Sequence, residues 1–319
     1  MRNVDLRRFD IRTDLVKDII SPYKKIKGIK ETITKDKDII ISNIKVSDIG
    51  EKEINKKKGN YTTIYFSDVT DNTNFNHVKK IFKEELLKII NKFKLKNKDS
   101  VLIIGLGNEK STPDSLGPKT LENVLITKYI YDTIGNLEKG YKITSGITPG
   151  VMGTTGIETS DIILAVIKKT KPDLLLVIDS LASDSIERVC KTIQISDTGI
   201  SPGSGINNKR KEISFNKLGI PVIAIGVPMV VSATTIVNDT IKYLLEHFTK
   251  DKKQLDDYTK ANLLGLVGLL SDDEKKKLIY EVLNPIGFNL IVTPKEVDFL
   301  IDKLSKLLGT GINEALHKI

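Results

Sequence analysis

The sequence predicts an α/β fold with three layers, in which a mainly parallel twisted sheet is flanked by helices. Three short apolar runs, at residues 101–104, 174–178 and 221–227, have the length and aliphatic content of strands that are buried on both faces. Segments with helical spacing separate these runs, and the helix predicted over 157–169 leads directly into a strand. Such alternation of strands and helices is typical of crossover units in a parallel sheet.

In the first half of the chain, apolar spacing predicts each element in turn. Alternating apolar residues favour strands, and apolar residues three and four positions apart favour helices. A proline in the first helical turn supports the last helix of this half. The predicted order is a polar, loosely held leader over 1–20, strand-like alternation over 38–44, a strand over 61–66, a helix over 77–94, a strand over 101–105 and a helix over 118–131.

The second half continues the alternation of strands and helices and ends in a helical portion. The final amphipathic helix is expected to end near Leu308, where Gly309 can terminate it. Neither an internal repeat nor a low-complexity linker interrupts the pattern. The predicted order is a Gly/Thr-rich loop over 141–156, a helix over 157–169, strands over 173–179 and 190–195, a polar loop over 197–211, a strand over 221–227, a helix over 234–247 and a strand-like piece over 289–293.

The composition is that of a globular protein with an aliphatic core. The chain has 319 residues, no Trp and a formal net charge of +9. Much of this charge lies in Lys-rich stretches, which we interpret as solvated surface in preference to a site for nucleic acid or for substrates that lie on it. The sequence has no basic motif interleaved with aromatic residues and no zinc signature.

The N-terminus and the cysteine content point to a reducing, cytoplasmic compartment. The first residues are charged and lack the apolar region of a secretory signal. No apolar run reaches the roughly 18 residues of a membrane span. The single cysteine, Cys190, cannot form an intramolecular disulfide and has no histidine near it in sequence, so we interpret it as a buried structural residue.

Two aspartates follow buried strands and are the strongest candidates for chemistry. Asp114 lies beyond the strand over 101–105, after a glycine-rich turn, and Asp179 ends the strand over 173–179. Since sites in α/β sheets form at the carboxyl ends of parallel strands, the two carboxyl groups are expected to converge. Such a pair can share one proton and activate water. Locally, each aspartate could instead cap the segment that follows it.

Other chemistries find less support in the sequence. The glycine-rich turn at residues 105–108 lacks the third glycine of a dinucleotide fingerprint, and no ribose-binding acid follows. His77, His247 and His317 all fall in predicted helices away from the strand ends. Two carboxylates without histidine could hold Mg²⁺ or Mn²⁺ weakly, but they do not make a zinc site. A serine nucleophile elbow is also missing, so water activated by a carboxylate is the favoured nucleophile.

Several segments together resemble the germination protease family of spore-forming bacteria. The resemblance spans nearly the whole chain and is more specific than any single motif. It rests on Arg12-Thr13-Asp14-Leu15, on Gly105-Leu106-Gly107-Asn108 with the segment over 112–118, on the loop over 149–156, on Val177-Ile178-Asp179-Ser180-Leu181-Ala182 and on the loop over 205–213.

The resemblance implies an endopeptidase that begins the degradation of DNA-protecting small acid-soluble spore proteins in the cytoplasm of the spore core. It also implies a fold similar to that of hydrogenase-maturation endopeptidases, assembly as a homotetramer, and no cofactor or metal. The family's two aspartates, of an atypical aspartic-type protease, correspond to Asp114 and Asp179. Contact with nucleic acid is expected at most indirectly, through the substrate, and none with membranes.

The resemblance further implies a zymogen that cleaves itself between Asp14 and Leu15. Residues 1–14 are then a propeptide, and residues 15–319 are a single α/β peptidase domain with a helical C-terminal portion. As a hypothesis, one aspartate takes a proton from water while the other hydrogen-bonds the scissile carbonyl and donates to the leaving amine, and the loop over 150–156 offers N–H groups to the oxyanion. A metal-dependent maturation-type peptidase and a basic nucleic-acid-binding module are the alternatives.

Overall fold

A computed structural model of the chain describes residues 13–21, 25–96, 98–202, 211–248, 265, 269–283 and 290–318. Within these ranges, one sheet contains the strands β1 (Ile29–Asp36), β2 (Ile39–Val46), β3 (Gly59–Tyr65), β4 (Ser100–Gly105), β5 (Ile143–Ile147), β6 (Leu174–Ser183), β7 (Thr192–Ser196), β8 (Val222–Ser232) and β9 (Ile291–Val292). The strand order is β1-β2-β3-β7-β8-β6-β4-β5, and β9 pairs with β8.

The sheet is mixed, and its parallel part carries the candidate site. Strands β5, β4, β6 and β8 pair in parallel. Strands β7, β3, β2 and β1 continue the sheet from β8 in antiparallel pairs. The α/β class is confirmed. The antiparallel extension consists of β7 and of three strands within residues 29–65, where the sequence predicts strand-like alternation over 38–44 and a strand over 61–66.

Helices cover both faces of the sheet. Along β4, Ile103 points into a core cluster with α3 and α11, whereas Leu102 and Ile104 point into a second cluster with α7. This alternation produces the three predicted layers, and each fully buried aliphatic side chain contributes roughly 1.5–3 kcal/mol. The described helices are α1 (Val16–Ile20), α2 (Asp48–Ile54), α3 (Asn72–Ile90), α4 (Leu116–Glu122), α5 (Lys128–Ile134), α6 (Met152–Thr155), α7 (Thr159–Thr170), α8 (Phe215–Leu218), α9 (Ala233–Phe248), α10 (Asp272–Leu283) and α11 (Val297–Leu316).

The helix predicted over 118–131 is wrong as a single element, because α4 and α5 are separate helices. Between them, the Leu125 N–H donates to Asn313 Oδ1 at 2.8 Å. The Thr127 N–H donates to the carbonyl oxygen of Thr144 in β5 at 3.1 Å. These long-range partners take backbone donors that a continuous helix would use, and apolar spacing does not reveal them.

Gly309 does not end the last helix, contrary to the prediction, because α11 continues to Leu316. A Cβ at Gly309 would lie 2.5 Å from the Cβ of Asn123 and 2.9 Å from the carbonyl oxygen of Thr120. The glycine therefore lets α11 pack closely against α4. None of the helices in the described ranges is long and apolar enough to cross a membrane.

Candidate active site

Asp114 lies in a short 3-10 turn, Thr112–Asp114, directly above the end of β4. The Asn108 N–H donates to the carboxylate Oδ2 of Asp114 at 2.9 Å and to its carbonyl oxygen at 3.0 Å. Ser115, and not Asp114, is the N-cap residue of α4. The carboxylate therefore binds across the loop between β4 and α4, which differs from the local capping role considered for it.

Glycines bring this loop close enough to hold Asp114. Gly107 has a φ of +119°, and a Cβ at this position would overlap the carbonyl oxygen of Asp114. Only a residue without a side chain fits this backbone conformation without strain. One residue earlier, the Leu106 N–H donates to the carbonyl oxygen of Ile178 at 2.8 Å, which fixes the turn on β6.

Asp179 lies within β6 and not at its end, because the strand continues to Ser183. The predicted strand end is therefore wrong by several residues. Asp179 pairs in register with Gly226 of the equally extended β8, and only 6% of its surface is exposed. Its Oδ1 accepts from the Ser180 N–H at 2.9 Å. The continued pairing of β6 with β8 explains the extra length, since apolar content alone does not mark where such pairing stops.

Asp114 and Asp179 line one cavity of about 360 Å³. A third carboxyl residue, Asp14 of the leader, lines the same cavity. The two aspartates expected to converge thus line one cavity together with the residue that precedes the bond marked by the family resemblance. Where two carboxyl groups lie close together, repulsion between their charges favours a single shared proton.

The Gly/Thr-rich loop contributes to the cavity wall, but three of its N–H groups are engaged within the loop. Gly150 and Val151 line the cavity. The N–H groups of Thr154 and Thr155 donate to the Val151 carbonyl at 2.9 and 3.0 Å. The Gly156 N–H donates to the carbonyl of Met152 at 2.8 Å. These three donors are therefore poor candidates for the oxyanion binding that the sequence suggested for the loop.

The end of the leader is firmly held, so the prediction of a loose leader over 1–20 is wrong for residues 13–20. Leu15 and Val16 are fully buried. The Asp14 N–H donates to the carbonyl oxygen of Ala182 at 3.1 Å, and the Ala182 N–H donates back to Asp14 Oδ2 at 2.9 Å. The leader thus lies along the free edge of the extended part of β6. Residues 1–12, which include Arg12 of the motif, lie outside the described ranges.

A buried acid anchors the leader to the end of β6. Asp18 of α1 accepts from Thr13 Oγ1 at 2.5 Å, from Ser183 Oγ at 2.9 Å and from the Asp184 N–H at 2.8 Å. It also forms an ion pair with Arg188, whose pKa is lowered by burial. The ion pair satisfies a charge that would be costly to bury alone.

Two side chains contact the carbonyl oxygen of the Asp14–Leu15 peptide bond. Lys56 Nζ donates to the carbonyl oxygen of Asp14 at 3.4 Å. Gln194 Nε2 donates to the same oxygen at 3.3 Å. Both residues line a second cavity, of about 560 Å³, and Asp14 lines this cavity as well.

The local sequence pattern does not single out Lys56 or Gln194. Lys56 stands in a run of three lysines and is indistinguishable from solvated surface. Gln194 is a polar residue within the alternating segment that forms β7, which is a weak indication of a role in the sequence. In the structure it is only 8% exposed. A buried amide in a strand needs hydrogen-bond partners, and this requirement could have marked it as a candidate.

Neither described histidine side chain lines the cavity of the two aspartates. His77 lies in a helix as predicted, whereas His317 directly follows α11. His77 Nε2 lies 3.2 Å from Asp36. His317 packs on Tyr141 and accepts from the Lys142 N–H, and burial lowers its pKa. The side chain of His247 lies outside the described part. Among the described residues, no group of three or more His, Cys, Asp or Glu side chains is arranged to hold a metal ion.

Cys190 is buried but precedes β7, so the strand predicted to begin at this residue is wrong by two positions. Its φ of +58° turns the chain into the strand, and burial raises the pKa of its thiol to about 12. The thiolate is the reactive form. We therefore expect iodoacetamide to label native protein near pH 8 far more slowly than unfolded protein, as measured by mass spectrometry over time. Equal labelling rates would contradict a buried, protonated thiol.

Comparison with known proteins shows similarity over nearly the whole chain. The family model described as germination protease matches residues 10–261 and 251–319. The chain is 43% identical to the germination protease of Geobacillus sp. (strain WCH70), in an alignment that covers 99% of this chain and 96% of that protein. It is 45% identical to the germination protease of Oceanobacillus iheyensis, over 97% of this chain and 95% of that protein. It is 43% identical to the germination protease of Bacillus thuringiensis subsp. konkukian, over 98% of this chain and 95% of that protein.

Proposed function

The chain belongs to the germination protease family, and from this premise we propose that it is an atypical aspartic endopeptidase that begins the degradation of small acid-soluble spore proteins. Family membership makes it a protease that acts in spore germination. The proposal adds the substrate, the catalytic pair Asp114 and Asp179, a self-processing leader, a homotetrameric assembly and the spore core as its location.

The observation that carries the proposal is the cavity shared by Asp114, Asp179 and Asp14. It supports an aspartate pair as the hydrolytic group because the peptide bond that follows Asp14 is the expected cleavage site. It also supports a propeptide over residues 1–14 and a peptidase domain over residues 15–319. In this scheme the leader occupies the substrate site of its own chain until it is cut.

In the proposed mechanism, Asp114 and Asp179 share one proton and titrate as a unit. The ionised member takes a proton from water, and the resulting hydroxide attacks the carbonyl carbon of the scissile bond. The protonated member gives its proton to the leaving nitrogen as the carbon–nitrogen bond breaks. One carboxylic acid and one amine are formed, and the pair again holds one proton, now carried by its other member.

Cleavage of a purified small acid-soluble spore protein tests the proposed function. Full-length protein is first allowed to process itself, and the products are then mapped by mass spectrometry with and without a chelator. We expect cuts after an acidic residue and before an apolar one, at a rate that the chelator leaves unchanged. Loss of cutting with chelator would favour the metal-dependent alternative. Strong, salt-dependent binding of duplex DNA without any cutting would favour a basic binding module.

Self-processing is expected to respond to the charge of Asp14. Protonation of Asp14 relieves repulsion in a cavity that already contains Asp114 and Asp179. Wild-type protein should therefore process itself as the pH falls, whereas Asp14→Asn should do so at neutral pH as well. The measurement is the fraction of chains that begin at Leu15, followed across a pH series.

A matched control is Asp132→Asn, which removes an exposed carboxylate on α5 that is paired with Lys128. This control should keep the wild-type pH dependence. If Asp14→Asn still needs acid to process itself, the trigger is a different group. Sedimentation velocity on the processed protein tests the homotetramer separately.

A further inference from the structure

The geometry points to Lys56 and Gln194 as the groups that bind the carbonyl of the peptide bond being cleaved, both in the leader and in protein substrates. The inference rests on the proposed function and assigns two residues to that site. Both side chains donate to the carbonyl oxygen of Asp14, at 3.4 Å from Lys56 Nζ and 3.3 Å from Gln194 Nε2. This is the oxygen that gains negative charge when water adds to the Asp14–Leu15 bond.

Gln194 hydrogen-bonds the backbone on both sides of this bond. Its Nε2 donates to the carbonyl of Asp14, and its Oε1 accepts from the N–H of Val16 at 2.9 Å. A single side chain therefore spans the bond and fixes its position along the chain. Because both contacts are to backbone atoms, they do not depend on which side chains the bound peptide carries. Gln194 is positioned by its place in the middle of β7, where it pairs in register with Gly226 of β8.

Lys56 supplies a positive charge at the same carbonyl. Asn55, the last residue before it, caps α2 with a φ of +52° and redirects the chain toward the leader. Lys56 Nζ lies 2.9 Å from the carbonyl oxygen of Thr13 and 3.4 Å from that of Asp14. A preorganised cation beside a developing oxyanion is worth more than a neutral donor, because the hydrogen bond strengthens as charge builds.

The flanking contacts extend this recognition to an acidic residue followed by an apolar one. The Ala182 N–H donates to the carboxylate of Asp14, and the Ala182 carbonyl accepts from the Asp14 N–H. After the bond, Leu15 is fully buried. A substrate with an acid before the cut and an apolar residue after it can add to the edge of β6 in the same way once the leader has gone.

This assignment separates the roles within the site. Lys56 and Gln194 bind the carbonyl oxygen, which leaves the protonated member of the Asp114 and Asp179 pair to serve the leaving nitrogen. The Gly/Thr-rich loop at 150–156, whose N–H groups of Thr154, Thr155 and Gly156 are engaged within the loop, is then part of the cavity wall.

Self-processing of the full-length chain provides a direct test, because the leader already occupies the site and substrate binding does not limit the rate. The variants are Lys56→Met, Lys56→Arg and Gln194→Met. For each, the measured quantity is the first-order rate constant for the appearance of chains that begin at Leu15, under the acid conditions that trigger processing of the wild-type protein. Lys58→Met is the matched control, since Lys58 lies two positions away and pairs with Asp48 on the surface.

We expect Lys56→Met to slow processing by about 100-fold, the loss typical of removing one oxyanion donor. Lys56→Arg should recover a large part of the rate because it restores a cationic donor, and Lys58→Met should match wild type. Gln194→Met should slow processing and also spread the cuts to neighbouring bonds, because it removes the contact that sets the register. Melting temperatures measured on all variants establish that they are folded.

Wild-type rates and a single cut in both Lys56→Met and Gln194→Met would overturn the inference. Asp114→Asn, measured in parallel, reports separately on the proposed function. If Asp114→Asn is inactive while the Lys56 and Gln194 variants are unaffected, the aspartate mechanism stands and the assigned carbonyl site is refuted. A folded Lys56→Met that is slow and is not improved in Lys56→Arg would also refute a charge-based role for Lys56.

Discussion

Replacing either Asp114 or Asp179 by asparagine is expected to abolish self-processing of the full-length chain. Each substitution removes one proton-transfer group, and such groups contribute roughly 10²–10⁴-fold to a rate. The amide keeps the shape of the carboxyl group and an oxygen acceptor. In Asp114→Asn the amide oxygen can still accept from the Asn108 N–H, and in Asp179→Asn it can still accept from the Ser180 N–H.

The rate at which chains beginning at Leu15 appear measures this effect, and the melting temperature reports on the fold. Both variants should melt within a few degrees of wild type, since an asparagine can keep the hydrogen bond that each carboxylate accepts from a backbone N–H. Full processing in either single variant would exclude that aspartate from the mechanism. A large drop in melting temperature would instead indicate a structural role for the carboxylate.

Replacing Gly107 by alanine is expected to slow cleavage strongly by displacing Asp114. The new Cβ would overlap the carbonyl oxygen of Asp114, so the loop above β4 must move. Misplacement of a catalytic group by about 1 Å can cost on the order of 100-fold in rate. The φ of +119° adds strain for any residue with a side chain, at a cost of about 1–3 kcal/mol.

Gly135→Ala is a matched control for the strain alone. Gly135 also has a positive φ, of +84°, but a Cβ there would meet no atom within 4 Å. This control should lose some stability and keep the wild-type processing rate, whereas Gly107→Ala should lose both. Equal processing rates in the two variants would show that the close approach of Gly107 to Asp114 does not position the carboxylate.

Sequence patterns predicted the sheet and the two aspartates because these features depend on local order. The runs over 101–104 in β4 and 174–178 in β6 are continuously apolar, so their burial is visible in the sequence. The rule that sites lie at the carboxyl ends of parallel strands then predicted that Asp114 and Asp179 converge. The exact end of β6 was missed, since it depends on pairing with β8 and with the leader.

The features that the sequence did not reveal depend on contacts between distant residues. Gln194 and Val16 are 178 positions apart, and their hydrogen bond holds the leader in the site. A glycine after an amphipathic run suggests a helix end at Gly309. Its actual role is a close contact with Asn123, which the local sequence pattern does not reveal. Lys56 is one of three consecutive lysines that look alike in the sequence, and only its position beside Asp14 distinguishes it.

The most direct test of the central claim is cleavage of a purified small acid-soluble spore protein by protein of residues 15–319 that carries both Asp114→Asn and Asp179→Asn. Protein of residues 15–319 with both aspartates intact serves as the reference, and both are measured with and without chelator. The account predicts that the reference cuts after an acidic residue in the presence of chelator and that the double variant, folded by its melting temperature, does not cut. Cutting by the double variant would contradict the aspartate mechanism.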